Sequence, residues 1–127
     1  MQGDTPVPTD LELEILKVIW ARGEATVREV FKDLQAQRRI AYTTVLTMMG
    51  ILERKGHLIK RSGARAYIYT PAVPQDQVVT SLVYEFVGRV FNGSAHPLLV
   101  HLVGDRSIRQ QELEELEKLV QSRKKKK

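Results

Sequence analysis

The side chains best equipped for chemistry in this sequence form a short run of small, hydroxylated and basic residues rather than a catalytic cluster. The run is AYTTVLTMMGILERKG, Ala41 to Gly56. On a helical wheel at about 100° per residue, Val45, Met48, Met49 and Leu52 fall about one direction. Thr43, Thr47, Gly50 and Arg54 lie opposite, with Leu46 and Ile51 flanking them and Thr44 near Ile51. Threonine is an indifferent helix former, and glycine costs roughly 1 kcal/mol against alanine. The outer strip therefore does not favour the helix that carries it. It does suit a nucleic-acid groove. Threonine hydroxyls donate or accept to bases and phosphates, and their methyls, like Leu46, meet a thymine methyl. Gly50 admits a close backbone approach. No carboxylate points outward to repel phosphate. Capping, and packing through Val45, Met48, Met49 and Leu52, must then hold the helix.

Other residue types offer less. The chain has no cysteine, which excludes disulfides and cysteine metal sites. His57, His96 and His101 are the only histidines, and none belongs to a metal or nucleophile pattern. There is no glycine-rich phosphate loop. No enzyme activity, cofactor or metal is expected. His96 and His101, five apart in an apolar stretch, read as surface or interface residues. They are the one pair that offers a metal or pH-responsive site.

The net charge of +5 is unevenly placed. Met1–Glu24 carries two bases and five acids, net −3; Ala25–Arg65 carries nine bases and three acids, net +6. Ala66–Arg123 has five bases and seven acids, net −2, and Lys124–Lys127 add +4. A focused basic segment is the footprint of a polyanion partner. Arg28, Arg38, Arg39, Arg54, Lys55, Lys60, Arg61 and Arg65 are the expected phosphate contacts.

The elements that must position these residues follow from periodicity and punctuation. Thr9-Asp-Leu-Glu12 is a capping box. The helix after it is apolar on two faces (Leu13, Leu16, Trp20 against Leu11, Ile15, Val18, Ile19), as for a helix between two neighbours, and Gly23 ends it. Thr26-Val-Arg-Glu29 repeats the box before a helix with one stripe, Val27, Val30, Phe31 and Leu34, which fades through Gln35–Arg39. The opening run is the third helix, with Gly56 beyond its end. His57–Arg61 and Ala66–Thr70 are short β-type runs about the turn Ser62–Arg65, hence a hairpin. Pro71 and Pro74 mark a boundary. Beyond it Val78, Val79, Leu82, Val83, Phe86, Val87, Val90 and Phe91 form a wide stripe on a long helix stopping at Asn92-Gly93. Ser94–Val103 is a short apolar helix. Ser107–Gln110 caps a last helix bearing Leu113, Leu116, Leu119 and Val120 on one side.

Three helices and a hairpin, in this order, make a winged helix-turn-helix. The expected fold is mainly α with a small β-hairpin: a DNA-binding domain over 1–73, a helical dimerisation arm over 74–123 and a basic tail over 124–127. Three helices of this size cannot easily bury so broad a stripe among themselves, so a second copy is expected to cover Val79, Leu82, Val83, Phe86, Val90, Leu113, Leu116 and Leu119, the alternative being that the stripe packs back on the N-terminal domain. No secretory pattern stands in Met1–Asp10 and no apolar run nears the ~20 residues of a membrane span, so a soluble cytoplasmic protein is expected.

At this point the chain resembles the penicillinase-repressor family (BlaI/MecI/CopY) of bacterial transcriptional repressors. The resembling residues are Glu12–Trp20 (ELEILKVIW), Tyr42-Thr-Thr-Val45, Leu52-Glu-Arg-Lys-Gly56 and Arg65–Pro71 (RAYIYTP), with an echo in Glu112–Leu116. The likeness runs from about Thr9 to Val120. It implies a homodimer, with an N-terminal winged helix and a C-terminal helical dimerisation arm, that binds a dyad operator on double-stranded DNA and represses transcription. In the best-known members a membrane-bound sensor protease cuts the dimerisation arm at Asn-Phe; the matching position here is His101-Leu102. Copper-responsive members carry C-terminal cysteine pairs, which this chain lacks, and Ile51 stands where many members have arginine. The competing reading is a winged helix used for protein–protein contact without specific DNA binding, which needs neither the focused charge nor the uncharged third helix.

Overall fold

The computed structural model describes residues 6–104 and 108–125. Both capping boxes form as the sequence predicts. In the first, Thr9 accepts from the Glu12 N–H at 3.4 Å while Glu12 Oε1 accepts from the Thr9 N–H at 2.9 Å, opening α1, Asp10–Arg22. In the second, Thr26 and Glu29 do the same for α2, Val27–Gln35. Gly23 ends α1 at φ 89°, a left-handed conformation that a side chain would strain. A fork of hydrogen bonds from Arg22 to Asp33, at 2.9 and 3.0 Å, ties the two helices together.

The third helix, α3, spans Tyr42–Arg54, and Gly56 follows it at φ 90°. The wing is an antiparallel pair, β1 (Leu58–Ser62) and β2 (Tyr67–Pro71), with Lys60 opposite Tyr69. Each strand lies one residue later than the sequence predicts, because the turn closes by Gly63 N–H donating to Ala66 O at 3.0 Å. The sequence offered no sign of a further pairing: Ala25, between α1 and α2, exchanges two backbone hydrogen bonds with Tyr69, at 3.0 and 2.8 Å. The wing is thus anchored to the turn ahead of α2.

The chain forms two compact units, Met1–Val83 and Tyr84–Lys127. The core of the first gathers Ile15, Leu16 and Ile19 of α1, Val30 and Leu34 of α2, Val45, Met49 and Leu52 of α3, and Leu58 and Tyr69 of the wing. Burial on α1 follows a single strip, Glu12, Ile15, Leu16 and Ile19, with Leu11, Val18 and Trp20 half-buried beside it. The two-sided burial expected of this helix is therefore one-sided with flanks.

The fourth helix, α4, runs over Gln75–Phe91. Its start belongs to the first unit, which extends past the boundary expected at Pro74: Val78 is buried in the core, and Val73 and Leu82 pack against it. In the second unit α5 spans Ala95–Gly104 and α6 spans Gln110–Lys125. Ser107 lies outside the described residues. The helix begins at Gln110, later than a Ser107 cap implies, and Glu112 Oε1 accepts from the Arg109 N–H at 3.1 Å. No described helix is long and apolar enough to cross a membrane.

Glu12 does a second task. It is 3% exposed, and its Oε1 also receives Lys55 Nζ at 2.6 Å, so one carboxylate joins the start of α1 to the end of α3. Burial pushes its pKa up, but Lys55 and the Thr9 N–H outweigh this and hold it below its ordinary value of 4.5. A depressed carboxyl stabilises the fold above its unfolded pKa, and that contribution is lost as pH falls through the folded value. Glu12→Gln keeps an acceptor for Thr9 but loses the charge facing Lys55. It is expected to cost about 1–3 kcal/mol at neutral pH. Urea unfolding of both proteins checks this, with the gap narrowing as pH falls below the ordinary carboxylate range.

Candidate nucleic-acid interface

The core side of α3 is as the spacing predicts: Val45, Met49 and Leu52 are fully buried and Met48 is half-buried. On the opposite side Thr43, Thr44, Leu46, Thr47 and Arg54 are exposed, while Gly50 and Ile51 are half-buried. The helix is not held as expected at its start, because Ala41 stands at the N-cap and no side chain caps it. The backbone alone closes the first turn, with the Thr44 and Val45 N–H groups donating to Ala41 O at 3.1 and 3.2 Å. Its end is the fastened one. The His57 N–H donates to Leu52 O at 2.9 Å, and Lys55 reaches Glu12.

The eight basic residues expected at phosphates divide in two. Four face carboxylates: Arg38 on Glu14 at 2.9 Å, Lys55 on Glu12 at 2.6 Å, Lys60 on Glu53 at 3.7 Å and Arg61 on Glu24 at 3.0 Å. Lys55 is the most enclosed of these, and its ion pair is part of the fold. Among the described residues Arg28, Arg39, Arg54 and Arg65 have no carboxylate partner. All four are exposed.

Arg28 and Arg65 share a groove of about 790 Å³ between the start of α2, the first half of α3 and the wing. Thr26, Tyr42, Leu46 and Tyr67 also line it, and no carboxylate does. Tyr42 and Tyr67 escaped the sequence reading. One signal was available: Tyr42 precedes Leu46 by one helical turn and so shares its face.

The histidines carry no such arrangement. His57 is buried ahead of β1, its Nε2 paired with Pro6 O at 2.7 Å, and its backbone accepts from the Ala72 N–H at 2.8 Å. His96 and His101 are exposed on α5, and no group of His, Asp and Glu able to hold a metal occurs among the described residues. His101-Leu102 lies inside α5, so a protease must unwind helix to reach that bond.

The apolar stripe also divides. Val79, Val83, Phe86, Val90 and Leu119 are exposed, and Leu113 and Leu116 are half-buried. Leu82 is half-buried and packs against the core of the first unit.

Residues 8–122 match the sequence profile of the family described as penicillinase repressor. The chain belongs to that family. Among its relatives, the penicillinase repressor of Bacillus licheniformis is 27% identical over 96% of this chain and 95% of its own length. The transcriptional regulator BlaI of Mycobacterium tuberculosis is 35% identical over 74% of this chain and 70% of its own. A solution structure of Bacillus licheniformis BlaI, in its monomeric form in complex with the blaP half-operator, superposes with a TM-score of 0.51 at 33% identity. That match covers 57% of this chain and 88% of the solved one. Membership also settles the reaction class: this is a family of repressors, not of enzymes.

Within the family fold, Gly50 is spared on steric grounds. A Cβ there would meet only Arg54 Nη1, at 3.6 Å, an ordinary contact. Gly50→Ala is therefore expected to stabilise the protein by about 0.5–1 kcal/mol through helix propensity. A thermal melt checks this, and a lowered midpoint would mean that the site needs glycine for packing.

Proposed function

We propose that the protein is a DNA-binding transcriptional repressor that acts as a homodimer on a dyad operator. Each copy lays α3 in a major groove, with the two helices about 34 Å apart or a multiple of it. The observation that carries this reading is the strip of exposed Thr43, Thr47 and Arg54 with half-buried Gly50, which has no outward carboxylate and is bordered by guanidiniums that meet no carboxylate among the described residues. The half-operator bound by the 33% identical relative supports it. In this reading Thr43, Thr44, Leu46 and Thr47 meet base edges and methyls, and Gly50 lets the α3 backbone approach. Arg28, Arg39, Arg54 and Arg65 neutralise phosphates, while Arg38, Lys60 and Arg61 must first leave their carboxylates. The exposed residues Val79, Val83, Phe86, Val90 and Leu119 face the second copy, and release follows from a cut at His101-Leu102 or another signal acting on the arm.

Salt separates this from a protein-docking winged helix. Neutralising four phosphates per copy gives a slope of about −7 for log K against log[salt] in the dimer, and using all seven of these cations gives about −13. Thr47→Glu is expected to abolish operator binding with circular dichroism and sedimentation unchanged, because it sets a carboxylate against the bases. Gly50→Ala is expected to bind more weakly despite its greater stability. Full affinity in both would reject the groove assignment. Phe86→Asp is expected to give monomers with much weaker DNA binding; intact dimers in sedimentation would overturn the arm's assigned role.

A further inference from the structure

Arg28 is held differently from the other cations around α3. Arg38, Lys55, Lys60 and Arg61 are oriented by carboxylates, which spend their charge. The Arg28 guanidinium instead lies over the Tyr42 ring, 5.8 Å from its centroid. Tyr42 is in turn set by Phe31, whose ring meets it edge-on at 5.6 Å and 80°. Lys60 also sits over a ring, Tyr67 at 4.4 Å, but it shares its charge with Glu53 at 3.7 Å.

We infer that Tyr42 is the positioning residue for Arg28: its ring aims an un-neutralised guanidinium into the groove between α2, α3 and the wing, where a DNA strand passes. This rests on the DNA-binding reading above. An aromatic face attracts a cation through its quadrupole and carries no net charge. The guanidinium therefore keeps its full charge and its N–H edges for phosphate, while its long side chain gives up less freedom when the anion arrives. Arg28 belongs to the first turn of α2 and Tyr42 to the first turn of α3, so the stack also sets one helix start against the other. The start of α3 has no side-chain cap, and this contact supplies order there that the backbone alone does not.

Two measurements test it. In the free protein, ring current shifts the Arg28 δ-methylene protons upfield; the shift is expected to persist in Tyr42→Phe and to vanish in Tyr42→Leu. Operator affinity is then measured in a double-mutant cycle. Tyr42→Leu is expected to weaken binding roughly five- to thirtyfold for a dimer carrying two changed copies. Tyr42→Phe is expected to bind like the parent, and Tyr42→Leu to add less than about twofold once Arg28→Ala is present. If Tyr42→Phe falls as far as Tyr42→Leu, the hydroxyl is itself the contact and the positioning role is wrong. If the loss from Tyr42→Leu persists undiminished in Arg28→Ala, the ring acts elsewhere and the inference fails. A parent protein with no salt-dependent operator binding overturns the DNA-binding reading, and this inference with it.

Discussion

The placement of the third helix rests on one buried carboxylate. Glu12 closes the cap of α1 through the Thr9 N–H and grips Lys55 just past the end of α3. A carboxylate this enclosed stays charged only because partners meet it, and losing one would leave a buried charge unpaired. The geometric result matters as much as the energy. The two ends brought together are far apart in sequence, and α3 has no side-chain cap of its own at its start. Its orientation is thus set from behind, by Glu12 and by the packing of Val45, Met49 and Leu52, and its outer strip is free of any duty to stability.

That freedom explains the unusual composition of the strip. A helix face that had to contribute to folding would not combine two threonines with a glycine. Charge is sorted by the same logic. Cations nearest the fold's own acids are consumed in ion pairs, of which only Lys55 is substantially enclosed; exposed pairs such as Arg61–Glu24 add little to stability. Arg28, Arg39, Arg54 and Arg65, which meet no carboxylate among the described residues, keep their charge. The basic excess of the middle segment therefore overstates what a polyanion would meet without first breaking a bond.

Much of this was legible in the sequence because it is written in local rules. The two capping boxes, the terminating glycines and the hairpin turn each depend on residues within four positions of one another; the boxes and glycines appear where those residues stand, and the hairpin one residue later. The core side of α3 was legible for the same reason. What was not legible depends on partners distant in sequence. Lys55 reads as a phosphate ligand until Glu12 is placed beside it. Leu82 reads as part of a continuous apolar stripe until the core is seen to extend under the start of α4. Tyr42 reads as a flank of a motif until Phe31 and Arg28 close around it. Periodicity reports which face a residue occupies but not whether the neighbour there is the chain itself.

The double hydrogen bond between Ala25 and Tyr69 sets a limit on variation in the wing. It acts as a fulcrum on β2, clamped to the α1–α2 turn, with the strand ends on one side and the Gly63–Ala66 tip on the other. Residues 63–66 lie beyond the fulcrum, and none of them belongs to the core. A longer or shorter tip alters how far the hairpin reaches, yet it disturbs neither Tyr69 nor the helices behind it. Members of such a fold can thus diverge in the length and charge of the tip at little cost, while the residue opposite Ala25 must keep its register.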